Sequence, residues 1–323
     1  MNTPSEPQSG AWRYLRTILL GAAGSGVLFA ASLAVPFIGF VAGFLAAVPL
    51  CHTRLTGGRR AALPAVLIAT LLIGTAFAPS TALWFLAQCG LIGFLLPEFL
   101  TRGMRGSRAL LWTTAVATLA TVLLAFAMAM TAGQDIFTMA QQEITAGMDQ
   151  ARHLYEQQQG LSPQDLATIK DGMRQAGALL MRIFPALGTL NLLLVSSVSL
   201  LFCQRMAIIR GLPLSIAPFR SFRVPEPLIW ILIVAGFSLL SSQTLITTPA
   251  MNLLAVLLIL YFCQGLAVLL TLTDRTSYPG MLKVMLTFLL LVQPYLLPVV
   301  VILGIFDLWG DFRTPRTKQE ENL

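Results

Sequence analysis

The sequence predicts an all-α, polytopic transmembrane helical bundle of about 8–10 membrane segments with an external helical hairpin insert. Three observations predict it. Hydrophobic residues make up 56% of the 323 positions and charged residues only 11%, where a soluble domain carries about 25% charged residues. The apolar residues come in blocks of about 20, the length at which a helix crosses the hydrocarbon core. The alternation of short strands that a transmembrane barrel needs is absent.

The elements can be read in order along the chain. Residues 1–12 are polar, hold Pro4 and Pro7, and read as a disordered N-terminal tail. Residues 13–131 hold the first five membrane segments, near 15–35, 37–51, 62–78, 82–97 and 109–131. Ser32-Leu33-Ala34 has the form of a signal cleavage site, but a second apolar run comes at once after it, as in a membrane hairpin. Residues 132–177 form a polar, extracytoplasmic helical insert. Ile136, Ala140, Ile144, Ala151 and Tyr155 recur there near helical spacing, and Gly160 interrupts them. A second arm starts where Ser162 caps, Pro163 suits the first turn and Asp165 faces the helix dipole. That arm runs into the sixth span, 178–207. A basic cytoplasmic loop, 208–226, leads to the C-terminal membrane segments at 227–308, with spans near 227–246, 249–273 and 281–306. The polar tail is 309–323.

Charge sets the orientation. The net charge of +7 would suit nucleic acid in a soluble protein, but the arginines fall in short loops between apolar runs, so no nucleic-acid partner is expected. Loop 52–61 holds Arg54, Arg59 and Arg60; loop 98–108 holds Arg102, Arg105 and Arg108; loop 205–226 holds Arg205, Arg210, Arg220 and Arg223; loop 274–283 holds Arg275 and Lys283. Connections 79–81 and 247–249 carry no Lys or Arg. The alternation places the N-terminus and the arginine loops in the cytoplasm. Nine crossings would put Arg313, Arg316 and Lys318 outside, so either the last segment folds back at Pro294 and Pro298 or the short second segment does not cross. In the loop before the seventh span, Phe219, Phe222 and Trp230 suit the interface, with Arg220 and Arg223 toward anionic headgroups.

Few residues suggest chemistry. No ionisable residue is expected at the middle of a span, which disfavours a buried proton relay. Neither a phosphate loop nor a dinucleotide motif occurs, no catalytic residue is assigned, and no cofactor or metal is expected. The cysteines, Cys51, Cys89, Cys203 and Cys263, read as unpaired thiols. Neutral polar residues at depth, among them Asn191, Asn252 and Gln264, either join helices by hydrogen bonds or line a solute pocket; Asn191 and Gln264 are the candidate pocket pair. Ala22, Gly26, Ala30 and Ala34 make a small-residue face on the first span, for packing within the protein or docking onto another membrane protein. Glu98, Asp307, Asp311 and Arg313 are a candidate cluster at one membrane face. If a helix continues through residue 311, Asp307 and Asp311 share a face while Asp311 and Arg313, two apart, do not, so Arg313 is expected to pair elsewhere, with Glu98 or lipid phosphate.

Three blocks, "FRVPEPLIW", "YFCQGLAVL" and "GIFDLWGDFR", resemble those of the YybS-like family of bacterial inner-membrane proteins. The resemblance covers nearly the whole chain and implies a multi-pass protein of the bacterial inner (cytoplasmic) membrane. More distantly, the first six spans resemble substrate-binding subunits of energy-coupling-factor transporters, which use a small-residue face on the first helix to meet a coupling subunit. That resemblance implies such a role for Ala22, Gly26, Ala30 and Ala34. The combined expectation is a solute-binding or transport-related protein without its own ATPase, holding a small, mostly uncharged or amphipathic solute in the bilayer. The other reading is a non-catalytic scaffold that recruits partners.

Overall fold

Apolar runs rich in Leu and Ala favour helix, and a helix is the one open segment that satisfies its own backbone in hydrocarbon. The computed structural model describes residues 8–34, 38–133, 135–156, 163–275, 294–310 and 312–313, and no strand occurs among them. The helices are α1 (Gln8–Ala34), α2 (Ile38–Leu45), α3 (Val48–Ala76), α4 (Pro79–Thr101), α5 (Gly106–Ala132), α6 (Ile136–Glu156), α7 (Pro163–Arg210), α8 (Leu228–Ser238), α9 (Thr244–Arg275) and α10 (Leu297–Gly310). They form two compact units, Met1–Gly177 with Leu187–Ile216 and Ala178–Ala186 with Ala217–Leu323, so α7 contributes to both.

Among the described residues six helices are long and apolar enough to cross a membrane: Ala11–Ala34, Val41–Ala76, Pro79–Thr101, Gly106–Ala132, Asp171–Arg210 and Thr244–Asp274. Large apolar side chains such as Leu67, Leu71, Leu123 and Phe126 stand exposed along them, as a lipid-facing surface requires. The expected count of nine needs correction at one place. Span 227–246 appears as α8, with 11 residues, about 16 Å long and short of a hydrocarbon core of about 30 Å. Of the expected span 281–306, residues 281–293 lie outside the described residues, and the part described holds α10. Pro227 stands immediately before α8, and Pro294 opens a 3-10 turn from which α10 starts at Leu297.

The expected arginine loop at 52–61 is reduced to one residue. Gly58 has φ 71° and ψ −170°, a combination essentially confined to glycine. Before it, Ser25 Oγ donates to the Ala46 carbonyl at 2.5 Å and Thr53 Oγ1 to that of Thr17 at 3.4 Å, so 38–57 runs antiparallel to α1. After it, Val66 meets Gly90 and Ala82 meets Gly74, so 59–76 runs antiparallel to α4. Leu50 meets Gly93 and Arg54 meets Glu98, so α4 runs parallel to 38–57. The two halves of α3 therefore point in opposite directions, and the 36-residue stretch Val41–Ala76 makes two crossings.

Packing in the first unit is governed by the small residues. A Cβ added to Gly21 would overlap Thr53, and one added to Gly24 would sit 3.3 Å from Pro49, so both let α1 approach α3 closely. At the opposite end of α1 from Ala34, the ends of α4 and α5 are tied to the chain after α7, where the Gly106 amide donates to the Ser215 carbonyl at 2.9 Å. α7 runs unbroken through the expected start of the sixth span; Gly160 and Ser162 lie outside the described residues.

In the second unit α9 and α10 meet backbone to backbone at Gly265 and Gly304. A Cβ on Gly304 would overlap the Tyr261 carbonyl, and one on Gly265 the Val300 carbonyl. Asn252 joins α9 to α7. Its Oδ1 accepts the Ala186 amide at 2.9 Å, and its Nδ2 donates to the Arg182 carbonyl at 2.7 Å. Those two groups would bond each other in an uninterrupted helix, but Pro185 lies between them and opens the ladder. The side-chain amide fills the gap. Asn252→Leu is expected to destabilise by about 1–3 kcal/mol, because both groups lose their partner. Thermal unfolding checks this, and the loss should shrink in a Pro185→Ala background, where the helix closes its own ladder.

Candidate functional site

The site starts from one carboxylate among arginines. Residues 13–131 contain a single acidic residue, Glu98, and eight arginines. Glu98 lies in the last turns of α4 and is 3% exposed. An ionised carboxylate at that burial needs partners, and three arginines supply them. Arg54, ahead of the Gly58 reversal, donates through Nε at 3.0 Å and Nη2 at 2.5 Å to Oε2. Arg59, just after the reversal, donates through Nε to Oε2 at 2.9 Å and through Nη2 to Oε1. Arg102, four residues on along the α4 end, donates through Nε to Oε1 at 2.7 Å. Thr101 Oγ1 accepts from Arg54 Nη2 at 3.2 Å. The Gly58 reversal is what brings Arg54 and Arg59 onto the same carboxylate.

Around this knot lies an open cleft of about 760 Å³, lined by Tyr14, Arg54, Gly57, Gly58, Arg59, Arg60, Thr101 and Arg102. Four guanidiniums face one carboxylate, and both Glu98 oxygens are already engaged. The knot uses one edge of each guanidinium and leaves others open. Arg54 Nη1, Arg59 Nη1 and both terminal nitrogens of Arg102 have no hydrogen-bond partner among the described residues, and Arg60 forms no ion pair there. Arg54 is 9% exposed and held by three of these bonds, so its direction is fixed; Arg60 is exposed. The arrangement can take an anion.

The other candidate residues are placed differently. In the second unit Gln264 is buried, and its amide is used at both ends: Oε1 accepts the Val224 amide at 2.7 Å and Nε2 donates to Asp307 Oδ2 at 3.1 Å. Asn191 belongs to the first unit and is exposed. Asp307 is 2% exposed and pairs with Arg313 Nη2 at 2.8 Å. The expected pairing of Arg313 with Glu98 or lipid phosphate is therefore corrected: α10 stops at Gly310, and the turn after it brings Arg313 onto Asp307 and onto the Arg220 carbonyl at 2.8 Å. Arg220 pairs with Asp274, and Phe219 and Phe222 stack at 6.1 Å. Asp311 lies outside the described residues. On α1, Ala22 and Gly26 are buried within the first unit, Ala30 is half-buried and Ala34 is exposed.

Sequence reasoning assigned Arg54, Arg59 and Arg102 to topology and missed their convergence. The signal was present: a lone acid among eight arginines is the one group able to neutralise any of them locally. Cys51, Cys89 and Cys203 are buried and free, and Cys263 is half-buried and free. Among the described residues no group of three or more His, Cys, Asp or Glu gathers in a metal-binding arrangement.

No curated protein and no solved structure matches the chain. A family model does, described as "Predicted membrane protein (DUF2232)", over residues 25–308. That span takes in Glu98, its three arginine partners and the Gln264–Asp307 contact, so the chain belongs to the DUF2232 family of membrane proteins.

Proposed function

We propose that this protein is a solute-binding, transport-related component of the bacterial inner membrane that captures an anion in the arginine cleft. It would depend on a partner chain for energy. One observation carries the reading: guanidinium donors remain open in a cleft whose single carboxylate is already saturated. A structural ion pair alone would need one arginine, or two, for one glutamate. The arginine-loop asymmetry supports a cytoplasmic mouth. The resemblance to binding subunits of energy-coupling-factor transporters supports the same role; Ala30 and Ala34 are the part of the small-residue face open to a partner, because Ala22 and Gly26 are packed within the first unit.

The expected solute changes with the site. Gln264 spends its amide within the fold, so an uncharged solute held by Gln264 and Asn191 finds less support than an anion held by Arg54, Arg60 and Arg102. Native mass spectrometry of the protein released from native-lipid discs tests the reading. A bound anionic molecule is expected, lost when Arg60 and Arg102 are both replaced by glutamine. A protein partner recovered with no anion would favour the scaffold reading.

A further inference from the structure

The geometry points to a phosphate monoester as the anion: the cleft binds a terminal phosphoryl group presented at the membrane surface. This rests on the anion-binding reading and narrows its chemistry. Charge comes first. Four guanidiniums and one carboxylate leave a net +3 in the cleft. A carboxylate or a phosphodiester offsets one unit; a phosphate monoester carries about −1.5 to −2 at neutral pH and three strong acceptor oxygens. Shape comes second. Arg59, Arg60 and Arg102 keep an open guanidinium edge, and planar forks match phosphoryl oxygens in pairs, while Arg54 adds the single donor Nη1.

A built cation anchors the arrangement. Arg54 is more than nine-tenths buried, clamped by Glu98 and Thr101, and still lines the cleft. Its guanidinium is held in place before any ligand arrives, so less ordering is lost on binding. The Gly58 break adds a second element, because segment 59–76 begins at the cleft and turns its positive dipole end toward it.

Depth comes third. Tyr14 lines the cleft and exposed Trp12 lies two residues before it on α1, next to Arg13 and Arg16. Aromatic residues at a helix end mark the headgroup level of a bilayer. The phosphoryl group is therefore met where lipid phosphates lie, although a soluble phosphate reaches the same open mouth.

Binding to the full-length protein in phosphatidylcholine nanodiscs tests this by thermal shift at fixed ionic strength. One arm adds phosphatidic acid to the discs and another adds inorganic phosphate to the buffer. A third adds phosphatidylglycerol at matched charge, and a fourth adds acetate. Stabilisation by phosphatidic acid or inorganic phosphate, and weaker response to the other two, is the expected result; the arm that responds names the source. Arg60→Gln and Arg102→Gln should each weaken binding by about tenfold or more. Equal responses to phosphatidic acid and phosphatidylglycerol would overturn the monoester, as would affinity unchanged in both variants. Response to acetate without phosphate overturns the inference but leaves an anion site. No response in any arm, with no anion in the native spectrum, overturns both.

Discussion

Glu98→Ala lowers stability by about 3 kcal/mol, the low end of the loss expected when one partner of a buried ion pair is removed. The side chain is 4% exposed and receives three guanidiniums. Once it is gone, Arg59 and Arg102 have room to turn to water, because their side chains are 54% and 61% exposed. Arg54 does not: at 10% side-chain exposure it stays buried with only Thr101 beside it. The loss is therefore set by Arg54 alone. Glu98→Gln keeps the shape and removes the charge, so it should lose nearly as much. Adding Arg54→Leu to Glu98→Ala should restore at least half of the loss, since the stranded charge is gone too. Unfolding in lipid discs measures all three, and wild-type stability for Glu98→Ala would show that the knot holds nothing together.

Gly304→Ala is the second large effect. The added methyl would overlap the Tyr261 carbonyl and lie 2.7 Å from the Gly265 amide nitrogen, so backbone rather than a side chain must move. Overpacking typically costs about 1–3 kcal/mol, and displacement of a whole helix belongs at or above the top of that range. Gly265→Ala meets the Val300 carbonyl and should behave alike. Gly236→Ala is the control: its methyl would have its nearest neighbour at 4.0 Å, and alanine is the better helix residue by about 0.5–1 kcal/mol. Unfolding of the three variants side by side should separate the close approach from helix propensity.

Much of this fold is legible in the sequence because bilayer length and backbone satisfaction are local constraints. The apolar blocks ending at Ala34, Ala76, Thr101 and Ala132 can be read from composition, and Pro163 marks the start of the arm that becomes α7. Short helices such as α8 escape the same reasoning, because composition does not report where a helix stops inside an apolar run. The arginine knot escapes for a different reason. Arg54 and Glu98 are 44 residues apart, and their meeting depends on the backbone conformation of one glycine. Arg313 shows the same limit: helix spacing directed it to Glu98 or lipid phosphate, whereas its pairing with Asp307 follows from where α10 ends at Gly310.

The amide clip at Pro185 has a consequence in time. Asn252 lies 66 residues after Ala186, so the two are not made together. At a synthesis rate of about 5–20 residues per second, the gap in α7 stays open for about 3–13 seconds before Asn252 leaves the ribosome. During that interval the Ala186 amide and the Arg182 carbonyl lack the side chain that bonds both in the finished protein. Translocon water, or an insertion factor that shields polar groups, has to hold them until α9 arrives. Loss of Asn252 would then show first as slower or less complete membrane integration during synthesis, ahead of any change in the finished protein.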